Sequence, residues 1–283
     1  MKQTDKTYDT PEYPRQLRLD TTCKCNAKCL SCHRYLSKRS GEMEITFINN
    51  ILKDVSQWNP HLNEIVPVNY GELFCRQDWY LILNMISSAL PRTNLVLPTN
   101  GSFLNEERTQ QLCKIPTLKL INYSINAFYE DTYEQFTGLK ASNLKQIEQS
   151  VKMVKVLRPD ILMLTSIVFD PQYQTDRERD DFITYWEKLA LPQVIPASSA
   201  GRTEKTPQVV VKLPCRSIFS DMVIGYDGKL SSCCFDSGFT IDLEYYSGDL
   251  KADWNSSKFQ ELRRFHNEHQ RDTISLCSRC TSA

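Results

Sequence analysis

Three cysteines, Cys25, Cys29 and Cys32, follow one another at spacings of four and three residues in the segment Cys25-Asn26-Ala27-Lys28-Cys29-Leu30-Ser31-Cys32. Thiolates are soft ligands that select zinc, copper(I) or iron–sulfur clusters. A structural zinc site takes four ligands, and cluster sites commonly use four cysteines as well. Three thiols at this tight spacing would hold a cubane cluster by three corners. One iron would then be left open to bind something else.

A second set, Cys215, Cys233, Cys234, Cys277 and Cys280, lies in the last part of the chain and ends in a CxxC pair. Four of these thiols would make either an all-cysteine zinc site or a second cluster. The chain holds 11 cysteines in 283 residues, and Met1 to Pro14 is polar with no apolar core resembling a signal peptide. The expected compartment is therefore the reducing cytoplasm, where clustered cysteines serve metal or redox chemistry more often than disulfides. Cys75 and Cys113 stand apart and read as small buried residues.

Lys plus Arg and Asp plus Glu both total 34, so the net charge is near zero. No basic stripe speaks for nucleic acid or an anionic membrane. No apolar run approaches the roughly eighteen residues of a membrane span. The length suits one large domain with an appendage.

The elements that must position these thiols can be read in order. Gln16 to Thr21 is strand-like and runs into the first cysteine loop. Thr46 to Trp58 places Phe47, Ile48, Ile51, Leu52 and Val55 at helical spacing, with Thr46 as its expected N-cap. Strands are expected at Glu64–Asn69, Asn94–Pro98, Leu118–Ile125, Ile161–Phe169 and Gln193–Ala197, each of the first five strands being followed by a helical segment. Apolar strands alternating with amphipathic helices argue for a parallel sheet with covered faces. In such folds function gathers at the carboxyl ends of the strands. The cysteine loop, Gly71-Glu72, Asn100 and Ser124 all fall at such ends. After a linker-like run from Ala197 to Gln208, the chain is expected to form a hairpin with a turn at Asp227-Gly228 and a second strand over Leu230–Cys234. A helix from Ser256 to His266 follows.

At this point the chain resembles a known family. Cys25, Cys29 and Cys32, with Asn26 after the first, match the CxxxCxxC signature of the radical S-adenosylmethionine (radical SAM) superfamily. The resemblance implies a [4Fe–4S] cluster on these three cysteines and S-adenosyl-L-methionine on the open iron. It also implies a partial (β/α)6 barrel over residues 15–200. By the same resemblance Gly71 and Glu72 receive the methionine amino group, while Asn100 and Ser124 meet the ribose and carboxylate. One position departs from the family pattern: the residue before the third cysteine is Ser31 rather than an aromatic. The remainder, residues 209–283, is similar to the family's SPASM or twitch extensions, a small β-hairpin and helix domain. Cys215, Cys233, Cys277 and Cys280 would there hold one auxiliary [4Fe–4S] cluster.

Cys234 is left over beside Cys233. Neighbouring residues on a strand point to opposite faces, so the two are not expected to serve the same cluster. The resemblance then favours a radical SAM epimerase acting on a small-molecule or peptide natural product, with Cys234 returning a hydrogen atom to the substrate. Dehydrogenation of an alcohol and peptide crosslinking are the alternatives, and a non-catalytic iron–sulfur carrier is a fourth. An electron donor of flavodoxin or ferredoxin type is implied. Arg202, Tyr70 and His33 are candidate substrate contacts.

Overall fold

The computed structural model describes residues 7–197, 213–278 and 280. Its centre is one eight-stranded sheet in the order β6-β5-β4-β3-β2-β1-β7-β8. The first six strands, β1 (Gln16–Leu19), β2 (Glu64–Val66), β3 (Asn94–Thr99), β4 (Leu118–Ser124), β5 (Leu162–Phe169) and β6 (Leu191–Pro196), are all mutually parallel. Parallel neighbours need a crossover, and helices supply it. The crossovers use α1 (Ile45–Ser56), α2 (Trp79–Ala89), α3 (Glu106–Cys113), α4 (Glu130–Thr137) with α5 (Ser142–Leu157), and α6 (Asp176–Trp186). This is the parallel α/β sheet expected from the alternation of apolar strands and amphipathic helices, and the partial barrel that the family resemblance implied.

The helices bury their apolar stripes against the sheet. Ile48, Ile51, Leu52 and Val55 of α1 are all buried, together with Leu17 and Leu19 of β1. The α1 N-terminus differs from expectation: the helix begins at Ile45, and Thr46 lies inside its first turn. An isolated bridge between Thr22 and Glu42, and the Met43 N–H donating to the Thr21 carbonyl, hold the chain extended up to that point. The helix therefore starts as soon as those bonds end. Other helices carry side-chain caps, among them Asn105 accepting from the Arg108 N–H and Thr175 from the Glu178 N–H.

The C-terminal hairpin does not form a sheet of its own. Strand β7 (Asp221–Ile224) pairs in parallel with β1, Leu19 standing opposite Ile224, and β8 (Leu230–Ser231) pairs antiparallel with β7. The Asp227-Gly228 turn is present, with Gly228 at φ +85°. The second strand is much shorter than the expected Leu230–Cys234. It stops because buried Asp236 folds the chain back, its carboxylate accepting from Ser231 Oγ, the Thr240 N–H and hydroxyl, and the Ile241 N–H. Helices α7 (Leu250–Trp254) and α8 (Ser257–Asn267) close this end. Most of the linker-like run, with Arg202, lies outside the described residues. Among the described residues no helix is long and apolar enough to cross a membrane.

Candidate functional site

The cysteine loop that follows β1 is fastened from three sides. The Lys28 and Leu30 N–H groups donate to the Thr137 and Phe136 carbonyls at the end of α4 (2.7 and 2.9 Å). Arg34 reaches back across the loop to the carbonyls of Cys23, Cys25 and Ala27 (3.4, 3.4 and 2.9 Å). From the end of β2, the Glu72 N–H donates to the Lys24 carbonyl at 2.7 Å. That last bond brings the backbones so close that a β-carbon on Gly71 would stand 2.0 Å from the Thr22 carbonyl oxygen. Only glycine fits there.

The strand ends meet where the barrel architecture requires. Cys25, Cys29, Cys32, Glu72, Asn100 and Ser124 line one cavity of about 420 Å³. Glu72 is 2% exposed. Its carboxylate accepts from the Asn100 N–H (2.7 Å), the Phe74 N–H (3.3 Å) and the Thr99 hydroxyl (3.0 and 3.1 Å). Burial pushes its pKa up from the ordinary 4.5 to about 7, the backbone donors opposing this. Among the described residues no cation pairs with it, so the cavity presents a desolvated carboxyl suited to receive an ammonium group.

The thiols are tied to the same strand ends. The Asn100 side-chain amide lies 3.8 Å from Cys25 Sγ and donates to Asn26 Oδ1 at 2.9 Å. The Asn126 amide lies 4.0 Å from Cys29 Sγ. Burial raises the thiol pKa values of Cys25 and Cys29 to about 12 and about 11. Ligation to a metal centre would draw off those protons. Asn126 was not singled out as a contact in the sequence, although it belongs to the Ser124-Ile125-Asn126 strand end. Its backbone sits at φ +65°, a conformation Asn tolerates better than most residues.

Arg18 is the other contributor that the sequence did not reveal. It alternates with the buried Leu17 and Leu19 on β1, so its side chain faces into the barrel and lines the same cavity. Its guanidinium contacts the Val68 carbonyl (3.5 Å) and Gln16 Oε1 (3.2 Å). It forms no carboxylate ion pair among the described residues. His33 lines the cavity too, its Nδ1 3.4 Å from the Tyr70 hydroxyl and its ring 5.5 Å from the ring of Phe235. Ser31 is on the cavity wall as well.

A second cavity of about 100 Å³ is lined by Cys215, Cys233, Cys234, Cys277 and Cys280. The strand geometry on which Cys233 and Cys234 were expected to point to opposite faces is absent, since β8 ends at Ser231. Both lie beyond the end of β8, in the turn organised by Asp236, and both reach this cavity. Cys234 and Phe235 also line the larger cavity, so the two spaces share a wall. Among the described residues no three His, Cys, Asp or Glu side chains converge closely enough to hold a single metal ion. The thiols instead ring a void, an arrangement that a cluster bound at its corners can fill.

The C-terminal module is bolted to the first loop. Arg39 makes a bidentate pair with Asp227 (2.9 and 2.7 Å) and stacks over the rings of Tyr226 and Phe239. The Ser237 hydroxyl donates to the His33 carbonyl at 2.9 Å.

Comparison with known proteins agrees with this geometry. Residues 215–281 match the SPASM family, described as an iron–sulfur cluster-binding domain. Over 94% of the chain, and 92% of the relative, the sequence is 23% identical to the S-adenosyl-L-methionine-dependent 2-deoxy-scyllo-inosamine dehydrogenase of Niallia circulans. The fold resembles that of BtrN in complex with AdoMet and 2-DOIA, with a TM-score of 0.70 and 18% identity, covering 95% of this chain and 93% of that one. It also resembles SuiB of Streptococcus suis bound to its precursor peptide SuiA, with a TM-score of 0.71 and 12% identity, covering 96% of this chain and 72% of that one.

Proposed function

We propose, for a chain that belongs to the radical SAM superfamily and carries a SPASM-type C-terminal domain, the two-electron oxidation of an alcohol carbon in a small hydroxylated substrate. S-adenosyl-L-methionine and iron–sulfur clusters are its cofactors. Cys25, Cys29 and Cys32 would hold the first cluster, with Gly71, Glu72, Asn100 and Ser124 around the S-adenosylmethionine. Cys215, Cys233, Cys277 and Cys280 would hold the auxiliary cluster. When bound, these groups supply a 5′-deoxyadenosyl radical that removes a hydrogen atom, and an iron–sulfur centre able to take up an electron.

The observation that carries this reading is the shared wall. Because Cys234 and Phe235 line both cavities, a second redox centre would lie beside the substrate space. Oxidation of a secondary alcohol to a ketone removes one hydrogen atom from carbon, one proton from the hydroxyl and one electron. Arg18 offers that hydroxyl a permanent cation and N–H donors, which stabilise the alkoxide as the proton leaves. His33, which lines the same cavity, is the base. A flavodoxin- or ferredoxin-type protein would supply the electron that starts each turnover. The end-to-end resemblance to a dehydrogenase favours oxidation over epimerisation, which the sequence alone put first.

Epimerisation remains the second reading because the Cys234 thiol reaches the substrate cavity. Product mass separates the two reactions. Oxidation yields a product lighter by two hydrogens with no solvent isotope at the reacting carbon. Epimerisation in D₂O yields an isomer carrying deuterium there, and Cys234→Ala abolishes it. Absence of 5′-deoxyadenosine from the reconstituted protein under dithionite would overturn both readings in favour of a cluster carrier.

A further inference from the structure

At the auxiliary cavity stand two side chains that neither proposed reaction has used. His266 lies in the last turn of α8 and Arg271 in the short 3-10 turn Arg271–Thr273; both are 0% exposed. A fully buried imidazole and guanidinium are costly to place unless their polar atoms have work to do.

The histidine's tautomer follows from its partners. The backbone N–H of Cys215 can only donate, and it points at His266 Nδ1 from 3.1 Å. Nδ1 must therefore be the acceptor, so in the neutral ring the proton sits on Nε2. That Nε2 lies 3.8 Å from Cys277 Sγ. The imidazole thus bridges two of the four cysteines that would hold the auxiliary cluster, accepting from the backbone of one and donating N–H to the sulfur of the other.

Arg271 lines the cavity itself, anchored by Nη1 donating to the Leu213 carbonyl at 2.9 Å. A guanidinium stays charged in proteins. It lines the same cavity as Cys215 and Cys277, so its charge lies beside both thiols.

Both features act in one direction on a cluster's reduction. One-electron reduction adds a negative charge to a thiolate-ligated cluster. Burial makes that charge costly, whereas N–H donors to sulfur and nearby cations stabilise it. We propose that His266 and Arg271 are positioning residues that raise the reduction potential of the auxiliary cluster, so that it serves as the electron acceptor for the oxidised substrate. This rests on the reading of Cys215, Cys233, Cys277 and Cys280 as cluster ligands and of the reaction as oxidation.

The test is an EPR-monitored redox titration of the anaerobically reconstituted protein, with the cluster on Cys25, Cys29 and Cys32 as internal reference. His266→Asn keeps an acceptor where Nδ1 stands but removes the Nε2–H. His266→Gln places an amide N–H near the Nε2 position. Arg271→Gln removes the charge and Arg271→Lys keeps it. The expected result is a negative shift of the auxiliary midpoint in His266→Asn and Arg271→Gln. At a fixed potential the oxidised-to-reduced ratio should rise about tenfold, which is ~59 mV for a one-electron couple. The Gln variant at 266 and the Lys variant at 271 should recover most of it, and the reference cluster should not move. Loaded variants with unchanged midpoints, or conservative variants that shift as far as the others, overturn the proposal. If a His266 variant loads no auxiliary cluster, the Arg271 pair decides alone. A wild-type protein with only one cluster overturns this inference through its premise, whereas two clusters with unmoved potentials overturn this inference only.

Discussion

Gly71 and the Thr22 carbonyl are in such close approach that the smallest side chain cannot be inserted between them, the oxygen standing 2.0 Å from where a β-carbon would sit. The contact locks the end of β2 to the cysteine loop. Gly71→Ala must push the two apart, at a cost of about 1–3 kcal/mol for overpacking a fixed backbone. The expected outcome is selective: the variant folds and keeps its auxiliary cluster but loses the cluster of Cys25, Cys29 and Cys32. Iron and sulfide analysis with EPR checks this, and a variant that loads both clusters normally would contradict it.

Glu72 gives the protein a pH signature. Its folded pKa of about 7 exceeds the ordinary 4.5. Between those values the folded state holds a proton that the unfolded chain has released, so this group makes stability fall as pH rises through the window. Binding of an ammonium needs the carboxylate, so affinity for S-adenosylmethionine should tighten as pH rises through about 7. Glu72→Gln should flatten both dependences. It should also weaken binding about 10- to 100-fold, the loss of one charge-assisted hydrogen bond of roughly 1.5–3 kcal/mol. Calorimetric titration from pH 6 to 8 and denaturant melts across pH 5 to 8 measure the two effects.

The Arg39–Asp227 pair joins the first loop to the C-terminal hairpin, with the guanidinium stacked on two rings. Partly exposed ion pairs are usually weak, but this one is bidentate and stacked. Arg39→Ala should cost about 1–2 kcal/mol, lowering Tm by roughly 2–8 °C for a chain of this size. A double-mutant cycle with Asp227→Ala should return a coupling of at least about 0.5 kcal/mol. Simple additivity would show the pair to be incidental.

Asp236 holds the turn that carries Cys233 and Cys234. Asp236→Ala strands four donors in a buried loop. Each unsatisfied group costs about 1–3 kcal/mol, so the turn should open. The auxiliary cluster should be lost while the first is retained, visible as a halved iron-to-protein ratio with S-adenosylmethionine binding intact.

Much of this architecture was legible in the sequence because parallel strands leave little choice. Once the alternation of strand and helix is read, the carboxyl ends of β1 to β4 must share a face, and Cys25, Glu72, Asn100 and Ser124 duly line one cavity. Other features had no local signature. The pairing of β7 with β1 joins residues about two hundred positions apart, and hydrophobic patterning does not encode which strand a strand pairs with. The early end of β8 depended on Asp236, whose partners lie up to five residues away and on both sides of the turn. Arg18 alternates like any half-buried strand residue. Only the tertiary structure shows that it lines the cavity of the cysteine loop. His266 looked like part of an amphipathic helix, and its two ring contacts, the Cys215 N–H and Cys277 Sγ, come from segments outside that helix.

The parallel pairing of β1 with β7 has a consequence for biosynthesis. During translation the strand that leads into the first cysteine loop emerges about two hundred residues ahead of β7. Its second hydrogen-bonding edge stays uncovered until some two hundred further residues have left the ribosome. Contacts of such long sequence separation form late, and an uncovered strand edge invites mispairing with other chains. Cluster delivery to Cys25, Cys29 and Cys32 is therefore best timed after Ile224 has docked beside Leu19.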